Sequence, residues 1–466
     1  MLSGGSGHPV ATMYADTGRR LATLSVCVPL VATLGVACGG RSEPTTAECV
    51  KIVTESGEKS DQCLSVAPDS ERIDLATPKF SHPTPITNPL HPTSRVEQII
   101  FGGHVDNKPF RTEVTLLPET KPTPYRGATV DTAIIQYVAY LNGRIQEVAI
   151  DRYAQADDGS VWYFGEDFSA YEDGKVTDTE GTWVVDDKVP AALIMPAHPH
   201  VGDVYRPENV PEVIFEEVRV DKVDMNVPGP SGNISGAMEV NELHMDGTRE
   251  GKIFAPGYGE FSTGDPGGDL EAVSLASPTD KRAHLAPAEF GALSAAARGV
   301  VQAAADSDTE RAKQAAKTFD QAWTAALTKG VPPQMVSQMN RDMSEFTSAI
   351  DVRDWKAAQS AALRVAQNEL DLRLLYQRSI DVDLARMALW ANQLPIDVAA
   401  DDSAAVLADV AALERIWERS RHGVQSPGPV DTALQELRRA ADRQDLHAVD
   451  RAAVALSQAV TGLHTR

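Results

Sequence analysis

The fold of the N-terminal half is decided by the stretch from Thr132 to Tyr153, which reads TAIIQYVAYLNGRIQEVAIDRY. Two runs rich in β-branched and aromatic residues flank Asn142-Gly143, and this dipeptide favours the two positive φ angles of a type I′ turn. The stretch therefore predicts a β-hairpin.

Turn signals recur on the C-terminal side of this hairpin, at Asp158-Gly159, Asp173-Gly174 and Asp246-Gly247. Short strands with frequent turns indicate an antiparallel meander. A sheet of roughly eight to ten antiparallel strands must curl or close to protect its edges. We therefore expect residues 96–282 to form a strongly curved sheet or an incomplete barrel.

The composition changes near His284 to Ala, Leu, Gln, Arg and Asp, which predicts helices over residues 285–466. Asp354 suits the N-cap of one long amphipathic helix. Glu369 falls on the apolar stripe of that helix, where a cation such as Arg386 would have to neutralise it. The predicted fold class is α+β in separate domains, an antiparallel β domain followed by an all-α bundle.

The N-terminus has the order of an export signal. Arg19-Arg20 precedes the uncharged segment Leu21–Ala37, and small residues stand before Cys38. The segment has 17 residues, fewer than the roughly 20 needed to span a bilayer. We expect residues 1–37 to be a signal peptide, with Met1 or Met13 as its start.

The cleavage site resembles the bacterial lipobox, in which a small residue precedes a lipidated Cys. Leu34 stands four residues before Cys38 where the motif has it three before, so ordinary signal-peptidase cleavage stays open. The resemblance implies lipidation of Cys38 and an extracytoplasmic protein anchored to a membrane of a bacterial cell envelope.

The remaining cysteines support that interpretation. Cys27 leaves with the signal, and lipidation of Cys38 leaves Cys49 and Cys63 as an even pair in an oxidising compartment. Their disulfide would close a loop of about 15 residues and contribute about 3 kcal/mol. Residues 38–95 are rich in Pro, Ser and Thr, which predicts a tether or surface wrap.

The charge balance disfavours nucleic acid as a partner. The chain has 43 Lys and Arg against 66 Asp and Glu, a formal net charge of −23. Such a charge repels phosphate backbones, although scattered carboxylates also serve solubility alone.

Parts of the β-rich region resemble an uncharacterised family of secreted bacterial proteins. The matching stretches are YAQAD at 153–157, GSVWYFGE at 159–166, YEDG at 171–174, MPA at 195–197 with Pro199 and VGD at 201–203, and GYG at 257–259. The helical region, with LDL at 370–372 and DLAR at 383–386, is similar to bundles of exported actinobacterial proteins. The resemblance implies secretion and brings no established activity.

A metal site is one functional candidate. Met195, His198 and His200 combine a thioether and two imidazoles within six residues, which suits copper or another transition metal in an oxidising compartment. The alternative is a plain surface loop, since the resembled family usually has other residues where the two histidines stand.

A ligand pocket is a second candidate. Trp162, Phe164, Trp183 and Tyr205 could line a pocket for an apolar ligand inside a curved sheet. The alternative is that these aromatic side chains form ordinary core packing.

Neither a catalytic nor a cofactor motif stands out. Glu166-Asp167 and Glu216-Glu217 suggest paired carboxylates, but adjacent strand residues face opposite sides of a sheet. The sequence therefore favours a non-enzymatic, membrane-tethered lipoprotein that binds a small apolar ligand or an envelope protein. A copper-binding protein is the alternative, and an unfamiliar hydrolase is third.

Overall fold

The computed structural model describes residues 49–54, 58–210, 213–264 and 270–466. Within these ranges a β-rich part is followed by a helical part, as predicted. Cys38, the signal segment and both candidate start residues lie outside the described residues. No helix in the described ranges is long and apolar enough to cross a membrane.

The described residues form sixteen β-strands, and the neighbouring strands pair antiparallel. They are β1 Lys51–Val53, β2 Lys59–Cys63, β3 Gln98–Val105, β4 Lys108–Tyr125, β5 Ala128–Leu141, β6 Arg144–Gln155, β7 Val161–Glu172, β8 Lys175–Asp178, β9 Trp183–Val184, β10 Ala192–Met195, β11 Val204–Val210, β12 Ile214–Gly229, β13 Gly232–His244, β14 Arg249–Ala255, β15 Gly259–Thr263 and β16 Leu270–Ser277.

Fourteen of these strands form one curved sheet. Its order is β10-β7-β6-β5-β4-β3-β16-β15-β14-β13-β12-β11, with β8 and β9 also paired to β7. The end strands β10 and β11 do not pair with each other, yet β11 lies near both β10 and β7. The sheet therefore curls until its two ends approach without closing, which agrees with the predicted incomplete barrel.

The predicted turns join the strands as expected. Asn142 and Gly143 have φ angles of 51° and 80° between β5 and β6, which confirms the hairpin. Asp173 and Gly174, at 51° and 72°, join β7 to β8. A further turn of this kind, Asp106-Asn107 between β3 and β4, was not predicted, because its second residue is not the usual Gly.

Eight helices follow in the described part of the chain. They are α1 Ala288–Ala305, α2 Thr309–Leu327, α3 Pro333–Val352, α4 Trp355–Arg373, α5 Ser379–Ala399, α6 Ser403–Ser420, α7 Gly428–Asp442 and α8 Leu446–Thr461. The Asp354 carboxylate accepts the backbone N–H of Ala357 and caps α4 as predicted. Helices α1–α4 share one apolar core, and α5–α8 share a second.

Both helical groups pack on the outer face of the sheet. Ile100 joins the first helical core, and Val138 and Tyr140 join the second. The alternate residues Tyr137 and Ala139 face the other side of the sheet and are also buried. Strand β5 is therefore covered on both faces. The helices therefore cover the outer face of the sheet, and the inner face lies on the opposite side.

The cation that neutralises Glu369 is not Arg386. Arg373, one turn further along α4, pairs with Glu369 at 2.8 Å. Arg386 instead binds Asp371 and Asp383, each at 2.7 Å. The i,i+4 partner within α4 supplies the cation, and the Ser294 hydroxyl on α1 also donates to the Glu369 carboxylate.

Part of the segment predicted as a tether or surface wrap is packed on the sheet. Ile86 is fully buried, and the Asn88 side chain donates to the backbone oxygens of Gly159 and Pro196, each at 3.0 Å. Proline prevents such a segment from joining a strand ladder, but its apolar residues can still bury themselves. The structure also contains the Cys49–Cys63 disulfide, with Cα atoms 5.1 Å apart.

Candidate ligand-binding cavity

The inner face of the curved sheet encloses a cavity of about 270 Å³. Strands from both halves of the sheet form its wall, and the segment around His91 and Val96 covers one side. A single water molecule needs only about 10–15 Å³ by a comparable measure. The cavity is therefore large enough for a small organic molecule.

Most of the wall is apolar or aromatic. The strand alternation sends every second residue inward, so β5 contributes Ile135 and Tyr137, and β6 contributes Ala149 and Tyr153. The other apolar wall residues include Ile99, Phe101, Val114, Leu116, Tyr163, Phe168, Ile194, Tyr205, Ile214, Val218, Phe254 and Tyr258. Such a surface favours the apolar body of a ligand.

A bulge in β7 changes which residues face this cavity. Tyr163 lies opposite Tyr153, and Glu166 lies opposite Asp151, so the register shifts between these pairs. Gly165 has a φ of 115°, and a Cβ there would lie 2.2 Å from the Trp183 carbonyl oxygen. This glycine permits the bulge that turns both Tyr163 and Glu166 inward.

Six acidic side chains, which we call the carboxyl cluster, lie in the cavity wall. Five are at most 8% exposed, and the sixth, Glu216, has a side chain 14% exposed. The cluster comprises Glu147, Asp151, Glu166, Glu208, Glu216 and Glu242. It begins on β6 and β7, crosses the gap between the sheet ends to β11 and β12, and ends on β13.

Burial alters the protonation of this cluster. Desolvation, aided by the charge of Asp151, raises the pKa of Glu147 to about 8. Desolvation also raises the pKa of Asp151 to about 7, although the Tyr163 hydroxyl donates to its carboxylate at 2.8 Å. The pKa values of Glu166 and Glu208 lie well above their ordinary range, because both are buried and close to other acids.

At the opposite end of the cluster, the pKa values of two neighbouring acids shift in opposite directions. Desolvation and the charge of Glu216 raise the pKa of Glu242 to about 8. Desolvation also acts on Glu216, but its His244 and Lys252 neighbours outweigh it and lower the pKa of Glu216 to about 2. At neutral pH the carboxyl cluster therefore holds a mixture of carboxylic acids and carboxylates.

Several buried polar atoms of the wall have no hydrogen-bond partner within the described protein. They include Oε2 of Glu147, Oε1 of Glu242 and the Tyr205 hydroxyl. An unsatisfied buried polar atom costs about 1–3 kcal/mol. A ligand with hydrogen-bond donors would satisfy the two carboxyl oxygens.

The predicted aromatic pocket residues occupy three positions. Tyr205 lines the cavity, and Trp183 lies behind the wall, where its indole N–H donates to Glu208 at 3.3 Å. Phe164 instead packs edge-on against Phe80 and Tyr125, with both centroid distances 5.3 Å. Trp162 likewise belongs to the apolar core, with its indole N–H donating to Ser160.

The predicted metal ligands also lie in different surroundings. Met195 is fully buried on β10, whereas His198 and His200 are exposed in the loop that follows. The His200 ring nitrogen lies 3.6 Å from Asp203. An ion held by both imidazoles would be in solvent, away from the Met195 sulfur in the core.

Sequence reasoning missed the carboxyl cluster. It correctly placed the two members of each adjacent pair, Glu166-Asp167 and Glu216-Glu217, on opposite faces of the sheet. It did not predict that Glu166 and Glu216 face the same cavity from opposite ends of the sheet. Glu217 faces outward and accepts the Ala67 backbone N–H at 2.8 Å. The signal that could have found the cluster is the two-residue period of β6, which places Glu147 and Asp151 on the face of Ala149.

In comparisons with known proteins, no protein family, no curated protein and no solved structure matches the chain.

Proposed function

We propose that the protein is an exported, membrane-tethered lipoprotein that binds a small organic cation in the cavity and catalyses no reaction. The N-terminal order of basic pair, uncharged segment and Cys38 supports the anchor. Cys49 and Cys63 are bonded to each other, so neither is the partner of Cys38.

The excess of acidic groups in the wall carries the assignment of the ligand. The wall contains seven carboxyl groups, those of the carboxyl cluster and of Glu260, whereas its basic residues are Lys252 and His91. Burial lowers the pKa of His91 to about 4, so that imidazole is neutral at pH 7. A bound cation would favour the carboxylate forms of these acids, so we expect a cation to bind more tightly than a neutral molecule, and an anion is disfavoured.

The aromatic residues beside the acids suit the same ligand class. Tyr153 and Tyr163 stack at 4.7 Å between centroids, and the Tyr163 hydroxyl contacts Asp151. Aromatic faces attract desolvated ammonium groups, and apolar walls bury the carbon body.

Glu147 offers the ammonium group a specific acceptor. Its Oε2 has no hydrogen-bond partner within the described protein and lies in the wall. A bound cation favours the carboxylate form, so amine binding would displace the proton that Glu147 carries at pH 7. With a pKa of about 8, this deprotonation costs only about 1.4 kcal/mol.

Three probes of equal chain length test this proposal: hexylamine, hexan-1-ol and hexanoate. Isothermal titration calorimetry at pH 7 should give hexylamine at least about tenfold tighter binding than hexanol, and no binding of hexanoate. Glu147→Gln should weaken hexylamine binding about tenfold and leave hexanol binding unchanged.

The matched control is Glu172→Gln, since Glu172 is an exposed carboxyl at the end of β7. This variant should bind all three probes as the wild type does. Equal affinity for hexylamine and hexanol, or preferential binding of hexanoate, would contradict the proposal.

A further inference from the structure

We propose that Glu216, Glu242 and His244 bind a divalent transition-metal ion at the β12–β14 end of the cavity. Glu216 on β12 lies directly opposite His244 on β13, and Glu242 precedes His244 by two residues on the same face. Each of the three offers a ligand atom, and these atoms lie within 4.8 Å of one another.

The spacing of the ligand atoms fits a shared metal ion. Nδ1 of His244 lies 3.4 Å from Oε1 of Glu216, without the geometry of a hydrogen bond. Two ligands bound at about 2.1 Å with tetrahedral angles are separated by about 3.4 Å. The separation of these two atoms therefore matches that of two ligands bound to the same metal ion.

A second observation is that buried polar atoms of this site lack hydrogen-bond partners within the described protein. His244 is 1% exposed and Glu242 is 3% exposed. Neither ring nitrogen of His244 has a hydrogen-bond partner within the described protein, nor does Oε1 of Glu242. A metal ion would satisfy Nδ1 and Oε1 together.

The surrounding charges complete the site. Nζ of Lys252 lies 2.8 Å from Oε2 of Glu242, which leaves Oε1 for the metal. Glu250 Oε2 lies 3.8 Å from Nε2 of His244 and is placed to orient the ring from behind. The ammonium of Lys252 offsets one of these three carboxylates, and a divalent ion would offset the other two.

The donor set indicates the class of metal. Two carboxylates and one imidazole suit Zn²⁺ and similar borderline ions, whereas the predicted Met195 site would favour copper. Glu216 and Glu242 also line the cavity, so a fourth coordination position would face it. Three protein ligands with one open position would let the metal contact a bound molecule.

Calorimetric titration of the complete mature protein with Zn²⁺ tests the site. The wild type should bind one equivalent, and Co²⁺ in place of Zn²⁺ should give the visible absorption of a four- or five-coordinate complex. His244→Gln should abolish both signals. Because His244 is buried, Glu216→Gln serves as a second, less buried variant, and circular dichroism verifies the fold of each.

The matched control is the double variant His198→Ala, His200→Ala, which removes the exposed imidazoles and should keep full binding. The proposal is overturned by a wild type that binds no Zn²⁺, by undiminished binding in folded His244→Gln and Glu216→Gln, or by loss of binding in the double variant. The titration contains no amine, so its outcome is independent of the proposed cation binding.

Discussion

Glu147 shows how one residue can link stability to ligand binding. It is 8% exposed, and one carboxyl oxygen lacks a partner within the described protein. The fold stabilises its protonated form, whereas a bound cation would stabilise the carboxylate. Without a bound cation, such a residue lowers the stability of the folded protein at high pH. With one, it provides a hydrogen-bond acceptor in the cavity.

The pH dependence of unfolding tests this residue. The pKa of Glu147 rises from an ordinary value of 4.5 to about 8, so its protonation stabilises the folded state. This contribution is complete below about pH 4.5 and disappears as the pH rises through 8. Urea midpoints of the wild type should therefore fall from pH 5.5 to pH 8.5, and Glu147→Gln should reduce that fall.

Each pKa unit corresponds to about 1.4 kcal/mol, so the difference between the two proteins should reach a few kcal/mol. The exposed control Glu172→Gln should retain the wild-type fall. Parallel pH profiles for the wild type and Glu147→Gln would show that Glu147 is not protonated in the folded protein.

Gly165 provides a second test at the residue scale. Gly165→Ala would place a Cβ 2.2 Å from a backbone oxygen at a φ of 115°, so both sterics and backbone conformation oppose it. We expect a loss of at least about 2 kcal/mol in chemical denaturation. Gly251→Ala, where a Cβ meets nothing within 4 Å, should cost less than about 1 kcal/mol; equal costs would argue against the described bulge.

At the scale of elements, a buried ionic network fastens the sheet to the helices. Arg111 on β4 donates twice to Asp371 on α4, at 2.9 and 2.7 Å. Arg386 on α5 donates to the same carboxylate at 2.7 Å. Glu113 on β4 lies 2.5 Å from Arg419 on α6 and 3.6 Å from Arg386 on α5, so three helices contact one strand through charges.

Asp371→Asn tests this network. Removing its charge leaves Arg111 and Arg386 without their shared carboxylate in a dry interface, and we expect a loss of about 3–5 kcal/mol in the free energy of unfolding. Asp381→Asn removes a comparable contact from the exposed Arg378–Asp381 pair and should cost less than about 1 kcal/mol. A similarly small effect at both positions would mean that the interface admits water.

The sequence predicted elements best where local chemistry determines them. Asn142-Gly143 and Asp354 act through their own turns and caps, so their positions followed from neighbouring residues alone. The packing of Ile86 and the pairing of Arg386 with Asp371 depend on tertiary neighbours. Local patterns contain no information on such neighbours, so the Pro-rich segment predicted a tether or surface wrap without indicating what Ile86 packs against.

The same limit applies to the site at the scale of the whole molecule. Tyr205 was predicted from its aromatic type, and it lines the cavity. The carboxyl cluster was not predicted, because Glu166 and Glu216 approach each other only when the sheet curls. The sequence predicted a curved sheet. Which residues meet where its two ends approach depends on the register of every strand between them, and the sequence pattern does not give that register.

The proposed anchor gives a prediction for the whole protein. Cys38→Ser should release the protein from membranes into the soluble fraction, because the lipidated thiol is replaced. The folded domains should be undisturbed, since the substitution replaces only the thiol to which the lipid would be attached. Fractionation with circular dichroism of the released protein measures both, and a variant that stays membrane-bound would contradict the lipoprotein assignment.

The central claim is that the cavity binds a small organic cation, and native mass spectrometry of protein purified from its own cell envelope tests it most directly. We predict one retained organic molecule with a basic nitrogen per chain, absent from Ala149→Trp, which fills the cavity from β6. Wild-type protein without any retained organic mass, or an equal mass retained by folded Ala149→Trp, would contradict the account.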